Sequence, residues 1–206
     1  LGGGSIVKRL SEKGFTVDVC ELDTRIEEVA KNYFHVNDKT TITVDDARHF
    51  IKTCKNKYDV IIFDTFKGED PPNHVFTMES LAETKELLNE KGVILVNSMG
   101  YIDGNIGKAM RSIYKTFLTA GFNVEVLPTD PDPDQRNLLF YASVDRIRPN
   151  AQYILQTKID LEDAVVLKDE YPLLDVLNAE AAKRWRTMAM STFDNGFSST
   201  SLPVFK

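Results

Sequence analysis

The 206-residue chain reads as an α/β protein with a doubly wound, mostly parallel sheet whose last strand runs antiparallel. Three observations predict this. Short β-branched runs alternate with amphipathic stretches from Phe15 to Asn97, the pattern of right-handed βαβ units. Two runs, YDVIIF at Tyr58–Phe63 and GVILVN at Gly92–Asn97, are almost continuously apolar, as strands covered on both faces must be. The final two runs, Phe122–Leu127 and Asn137–Ser143, are joined by a stretch too short for a crossover, so that pair is antiparallel.

The elements follow in order. Ile6, Val7 and Leu10 give Ser5–Lys13 helical spacing, and Gly14 suits the cap past its end. Phe15–Cys20 (FTVDVC) alternates as a strand does. Thr24 and Glu27 form a T-x-x-E capping box for a helix whose buried face is Ile26, Val29, Ala30 and Phe34. Thr40–Val44 is a short strand and Ala47–Cys54 a short helix. A loop at Thr65–Phe76 contains Pro71-Pro72; it precedes a helix at Thr77–Asn89 with Met78, Leu81, Leu87 and Leu88 available for burial. Asn105–Ala120 is an amphipathic helix ending at Gly121, and Thr129-Asp130-Pro131-Asp132-Pro133-Asp134 is a rigid acidic turn.

From Pro149 the periodicity weakens, apart from a helix at Leu173–Met190, and the last dozen residues are rich in Ser, Thr and Gly. Residues 1–148 are expected to form one domain, its first strand largely missing, with 149–206 a C-terminal helical extension packed on it. A glycine turn such as Leu1-Gly2-Gly3-Gly4-Ser5 normally follows a buried strand, and no initiator Met precedes it, so the chain is expected to begin inside a longer protein. On the last helix Trp185, Ala181, Ala182, Met188 and Met190 either pack on the domain or form a dimer seam; packing is the simpler expectation.

Twenty-five Lys and Arg against 31 Asp and Glu leave a net charge of −6, which argues against nucleic acid as partner. No apolar run approaches the roughly 20 residues that span a bilayer, so no membrane contact is expected from this segment. Cys20 and Cys54 make no disulfide framework and no CxxC motif, consistent with a reducing, cytoplasmic location. His35, His49 and His74 have no partners at metal-ligand spacing, so no metal is expected. Neither G-x-S-x-G nor a P-loop is present, which leaves hydrolase and kinase readings without support. The partner expected is a small-molecule substrate.

In an open α/β sheet the ligand lies over the carboxyl ends of the strands. Four such ends carry candidates. Gly2, Gly3 and Gly4 let backbone approach a ligand beside a helix N-terminus, although GGG serves equally as a plain turn. Glu21 is placed to accept both hydroxyls of a ribose, while Asp23 suits a structural role at a helix start. Asp46 can accept an amino group from an adenine, cap the next helix, or do both, with Arg48 a surface partner for an acid. Asp64 ends a buried run, and Thr65, Phe66 and Lys67 begin a loop able to cover a second substrate.

VDVCELDTRIEEVAKNYF, TVDDARHFIK, YDVIIFDTF and GVILVN, in this order and spacing, resemble the polyamine aminopropyltransferase (spermidine synthase) group. DEYPLLDVLN at Asp169–Asn178 resembles a C-terminal segment of such proteins. The group has the Rossmann-like class I methyltransferase fold and uses S-adenosylmethionine or its decarboxylated form. The resemblance implies Gly2, Gly3 and Gly4 at the cofactor's amino-acid or aminopropyl part, Glu21 on the ribose, Asp46 with Ala47 at the adenine, and Asp64 as the catalytic residue facing the sulfonium. Homodimers are common in the group, and some members are tethered to the cytosolic face of a membrane by attached segments.

Two positions depart from the group's pattern. Ser5 stands where a GGGDGG turn has aspartate, and Lys67 stands where the catalytic aspartate should attract a polyamine cation. The group's N-terminal β-domain is also not in this sequence. The leading expectation is therefore methyl transfer from S-adenosylmethionine to an acceptor the sequence does not name. Aminopropyl transfer, with Asp64, Glu69 or Asp70 replacing the missing acid, is the first alternative. A catalytically inactive ligand-binding or interaction domain is the second.

Overall fold

The structure is a computed structural model that describes residues 1–37, 39–65, 71–146, 148–150, 154–155 and 158–196. The chain divides into two units, Leu1–Asn56 and Lys57–Lys206.

In the first unit, α1 (Ser5–Glu12) leads to β1 (Asp18–Glu21), α2 (Thr24–Phe34), β2 (Thr41–Val44) and α3 (Ala47–Thr53). The two strands pair in parallel, from Asp18 opposite Thr41 to Glu21 opposite Val44. Parallel pairing aligns their carboxyl ends, and α2 supplies the crossover. Val7, Val19, Ala30 and Val36 form the small core, with Leu1, Val17 and Ile42 packed against it.

Three details of this unit differ from the sequence-based expectation. β1 starts three residues later than Phe15, because the Phe15 amide bonds back to the Leu10 carbonyl and ties that stretch to the end of α1. The cap of α2 is Asp23, whose carboxylate accepts from the Arg25 amide; Thr24 is already helical, so no capping box forms. Of the four apolar residues assigned to the buried face of α2, Ala30 is fully buried but Val29 and Phe34 are 40% and 55% exposed. Helical spacing identifies a face, and burial also needs a surface opposite it.

The second unit contains β3 (Tyr58–Phe63), α4 (Met78–Glu86), β4 (Leu88–Met99), α5 (Lys108–Thr119), β5 (Asn123–Pro128), β6 (Asn137–Ser143) and α6 (Leu174–Gly196). The strand order is β3-β4-β6-β5. β3 and β4 are parallel, and β6 lies antiparallel between β4 and β5, so three strands point one way and only β6 is reversed. This is the mostly parallel sheet with a reversed last strand that the sequence predicts. The helix expected to reach Asn89 instead stops at Glu86, because Leu88 already pairs with Tyr58 and the Tyr58 amide takes the Leu87 carbonyl. β4 also runs two residues past Asn97, paired with β6 as far as Met99 opposite Asn137.

Phe76, Leu81, Ile94, Val96, Ile113, Phe117, Leu138 and Phe140 fill the core of this unit, each below 2% exposure. The stretch from Asp160 to Leu174 has almost no regular structure and satisfies its backbone with side chains of the helices it crosses. The Val165 and Leu167 amides donate to the hydroxyls of Ser112 and Thr116 in α5. The Lys115 ammonium donates to the Leu161 and Ala164 carbonyls. Thr77, the cap of α4, donates to Asp169 at 2.6 Å, and the Leu174 amide donates to Asn73 at 2.6 Å where α6 begins.

Arg111 of α5 pins this stretch. Its guanidinium is buried, donates to both oxygens of Asp163, and donates again to the carbonyls of Ile102 at 2.7 Å and Gly104 at 2.8 Å. Gly107 lies against the same group: a Cβ there would sit 2.4 Å from the Ile102 carbonyl carbon and 2.5 Å from an Arg111 terminal nitrogen. Arg111→Leu should cost about 2–4 kcal/mol of stability, since it leaves two carbonyls and the Asp163 contact without their donor. A urea unfolding curve measures this, and an unchanged midpoint would show that the pin is not structural.

Candidate functional site

The carboxyl ends of β1 and β2 bring three acids together. The Asp45 amide donates to the Glu21 carbonyl at 2.9 Å, which places Asp45 and Asp46 beside Glu21. Glu21 Oε1 accepts from the Asp23 amide at 3.1 Å, and the Leu1 backbone nitrogen lies 3.3 Å from its Oε2. The glycine turn and Glu21 therefore share one end of this unit.

Each of these groups also does local structural work. Gly2 and Gly4 have φ of 51° and 71°, a region that favours glycine. A Cβ on Gly4 would lie 2.2 Å from Val36 Cγ2, whereas one on Gly2 would meet nothing within 4 Å. Gly4 is thus needed for packing, and Gly2 is the glycine that leaves open space. Gly3 lies between them against the Phe34 ring, 3.3 Å from where its Cβ would be. Asp46 caps α3, its Oδ1 accepting from the Arg48 and His49 amides, and Ala47 is half-buried as the first residue of that helix. Asp45 accepts the Asp46 amide on one oxygen and holds His49 Nδ1 at 2.6 Å with the other. Arg48, expected at the surface, is buried at 7% exposure on the inner side of α3.

The acids register on Cys20, at the end of β1. Burial first, then the charges of Asp45, Asp46 and Glu21, push its thiol up to about 11. Its Sγ donates to the Asp45 carbonyl at 3.3 Å. Asp23 stands apart from this group: Arg25, through side-chain and backbone hydrogen bonds, holds its carboxyl down at about 2.

In the second unit a chain of side chains crosses the strand ends. Asp64, exposed past the end of β3, accepts from Asn97 Nδ2 at 2.9 Å, and Asn97 Oδ1 accepts from Asn137 Nδ2 at 3.0 Å. Thr65 Oγ1 is buried and has no hydrogen-bond partner among the described residues. Phe66 and Lys67 lie outside the described residues.

Asn137 also lines a pocket of about 230 Å³ formed by Met99–Tyr101, the β5–β6 turn and α6. The turn holds itself rigid as expected, because Asp130 and Asp132 accept the amides of Asp132 and Asp134. Asp134 accepts from the Tyr101 hydroxyl at 2.8 Å and takes Arg184 of α6 on both oxygens, at 3.0 and 2.6 Å. Arg184 stacks 5.3 Å over the Tyr101 ring. Burial and the hydrogen bond to Asp134 raise the Tyr101 pKa, while Arg184 lowers that of Asp134. Ala181 and Ala182 are buried and Trp185 half-buried, whereas Met190, grouped with them by helical spacing, is exposed.

Asn97, Asn137, Tyr101, Arg136 and the Asp45–His49 pair were not among the sequence-based site residues. Asn97 gives the same signal as Asp64, a polar residue closing a buried strand. Asp45 and His49 stand four apart across a helix start, the spacing of a helical pair. Nothing local in sequence points to Arg136.

The strand-end residues from Gly2 to Asn97 lie within the span matched by a known family, and Arg136 and Asn137 lie just past it. The profile of the spermine/spermidine synthase domain matches residues 2–132. The chain belongs to the spermine/spermidine synthase family. It is 30% identical over 193 residues to a polyamine aminopropyltransferase of Vibrio vulnificus, a match spanning 87% of this chain and 61% of that protein. It is 28% identical over 155 residues to an N-terminal histidine N-methyltransferase of Emericella nidulans, spanning 72% of this chain and 28% of that protein. The fold is shared with human methyltransferase-like protein 13, solved in complex with SAH, at a TM-score of 0.60 and 19% identity over 98% of this chain and 84% of that one. As a spermidine synthase-like chain with the class I methyltransferase fold, it joins a family whose relatives include aminopropyl- and methyltransferases. Among the described residues no helix is long and apolar enough to cross a membrane, and no group of three or more His, Cys, Asp or Glu could hold a metal ion.

The acid cluster is testable through Cys20. With a thiol near 11, roughly one molecule in a thousand carries the thiolate at pH 8. Alkylation of Cys20 by iodoacetamide should be about a hundredfold slower in the folded protein than in urea, and should rise with pH up to about 11. Peptide mass spectrometry reads both, and equal rates at pH 8 would contradict the joint effect of burial and the neighbouring acids on this sulfur.

Proposed function

We propose that the chain is an S-adenosylmethionine-dependent transferase that methylates a small acceptor. The observation that carries this reading is the convergence of Glu21 and Asp46 with the glycine turn at the aligned ends of β1 and β2. The residues fit the nucleoside. Gly2 leaves space where backbone can meet the amino-acid part, Glu21 accepts ribose hydroxyls, and Asp46 with Ala47 faces the adenine. The charge also selects. Three carboxylates around one half-buried thiol disfavour a phosphate and favour an uncharged ribose and a cationic sulfonium.

When bound, S-adenosylmethionine supplies a methyl group already activated by the positive sulfur. The protein's contribution is then positioning and exclusion of water. Glu21 and Asp46 orient the nucleoside. Asp64, held by Asn97, is the acceptor-side acid, able to take a proton from an acceptor or to orient it. Thr65, Phe66 and Lys67 are assigned by sequence to the acceptor side. Lys67 supports methyl over aminopropyl transfer, since a lysine repels the cationic amine that aminopropyl transfer requires.

Calorimetric titration with methylthioadenosine, the part common to both donor forms, tests the reading. Saturable binding is expected, at least tenfold weaker in Glu21→Ala because charge-assisted hydrogen bonds to the ribose are lost. No binding by the folded protein would overturn the transferase reading and leave a non-catalytic domain. Turnover of putrescine with the decarboxylated donor would replace methyl transfer with aminopropyl transfer.

Asp64 gives a separate expectation. Asp64→Asn should leave methylthioadenosine affinity within about twofold, since no nucleoside contact is assigned to it. A tenfold loss in the same titration would move Asp64 to the nucleoside.

A further inference from the structure

The pocket at the ends of β4 and β6 carries a charge balance opposite to the rest of this acidic chain. Its lining includes one carboxylate, Asp134, and that group is fully engaged by Tyr101 and by both nitrogens that Arg184 offers. The lining also includes Arg136, for which the described residues provide no hydrogen bond or ion pair, and whose Nε is buried without a partner. Arg184, from outside the lining, already compensates Asp134, so Arg136 is the lining cation that has no carboxylate of its own among the described residues. A buried guanidinium nitrogen without an acceptor costs free energy that a ligand acceptor would recover.

The other walls are of a different kind. Trp185, Ala181, Ala182 and Met99 offer apolar surface, while Gln135 and Asn137 offer amides. About 230 Å³ suits a small molecule with one ring. Asn137, which lines the pocket, bonds Asn97, and Asn97 bonds Asp64 just past the end of β3.

We propose that this pocket binds a small carboxylate-bearing molecule with an apolar body, its carboxylate on Arg136 and its body against Trp185. Arginine suits this role because its planar fork matches a carboxylate in two parallel hydrogen bonds. As the assignment of an acceptor class, the proposal rests on the transferase reading above; as an anion pocket, it stands on the lining alone. A carboxylate acceptor differs in charge from the polyamine after which the Vibrio vulnificus aminopropyltransferase is named.

Trp185 is the chain's single tryptophan, so its emission reports on this pocket without a label. Phenylacetate and phenethylamine, alike in ring and chain but opposite in charge, are the probes. Phenylacetate should give a saturable change in emission, and phenethylamine should neither reproduce it nor compete. Arg136→Gln should weaken phenylacetate at least tenfold, and Arg136→Lys by a smaller factor, because a lysine keeps the charge without the fork. The wild-type comparison of the two probes holds even where a variant folds poorly.

Three results would each overturn the proposal: no saturable change up to about 10 mM phenylacetate, a near-millimolar limit for small ligands; phenethylamine binding as tightly as phenylacetate; or unchanged phenylacetate affinity in folded Arg136→Gln. Methylthioadenosine binding separates the two readings. If it fails in the wild type while phenylacetate binds, the transferase reading falls and the anion pocket stands. If it holds while phenylacetate fails, the pocket assignment falls alone.

Discussion

Burying the Arg111 guanidinium requires acceptors for all its donors, and the second unit is arranged around supplying them. Five hydrogen bonds meet it: three to Asp163 and one each to the carbonyls of Ile102 and Gly104. The two carbonyls fix the loop that leaves β4, and Asp163 fixes the irregular stretch that crosses α5. That stretch delivers α6, whose Ala181, Ala182 and Trp185 wall the pocket. One buried cation thus sets the positions of two of the pocket's three walls. The glycine at 107 belongs to the same arrangement, since any side chain there would occupy the space of the guanidinium.

The two units divide the electrostatic work. In the first, acids gather at the aligned strand ends, where Asp46 caps α3 and Asp45 holds His49. In the second, acids are spent on the protein itself. Asp130 and Asp132 brace their own turn, Asp163 serves Arg111, and Asp134 serves Arg184 and Tyr101. Net charge of −6 for the chain therefore says little about the field in a given pocket. A carboxylate paired within the protein is electrostatically quiet toward a ligand, whereas a single unpaired guanidinium is not.

The sheet was legible in sequence because its strands are uniform: β3 and β6 begin and end where alternation and apolar runs place them, and the reversed last strand follows from loop length alone. The boundaries that moved were set by partners far along the chain. Leu88 and Asn89 carry a helical pattern but join β4 because Tyr58 pairs with Leu88 and Asp59 accepts from the Asn89 side chain, each thirty residues earlier in the sequence. The strand-end acids were legible for the same reason as the strands. Arg136 was not, since what matters there is an absence of partners, and no spacing rule records which acids have already been engaged. Phe34 and Val29 show the converse case, residues whose pattern implies burial that this unit does not supply.

Chemistry at the acceptor side brings these threads to one point. Aminopropyl transfer needs a surface that attracts a cationic amine. Here sequence puts Lys67 where the spermidine synthase pattern has its acid, and geometry puts Arg136 in the pocket with no acid among the described residues paired to it. Both together shift the balance toward an acceptor that is neutral or anionic where it meets the pocket wall. Under the transferase reading, the nucleoside end of the family's chemistry is kept while the acceptor end has changed sign.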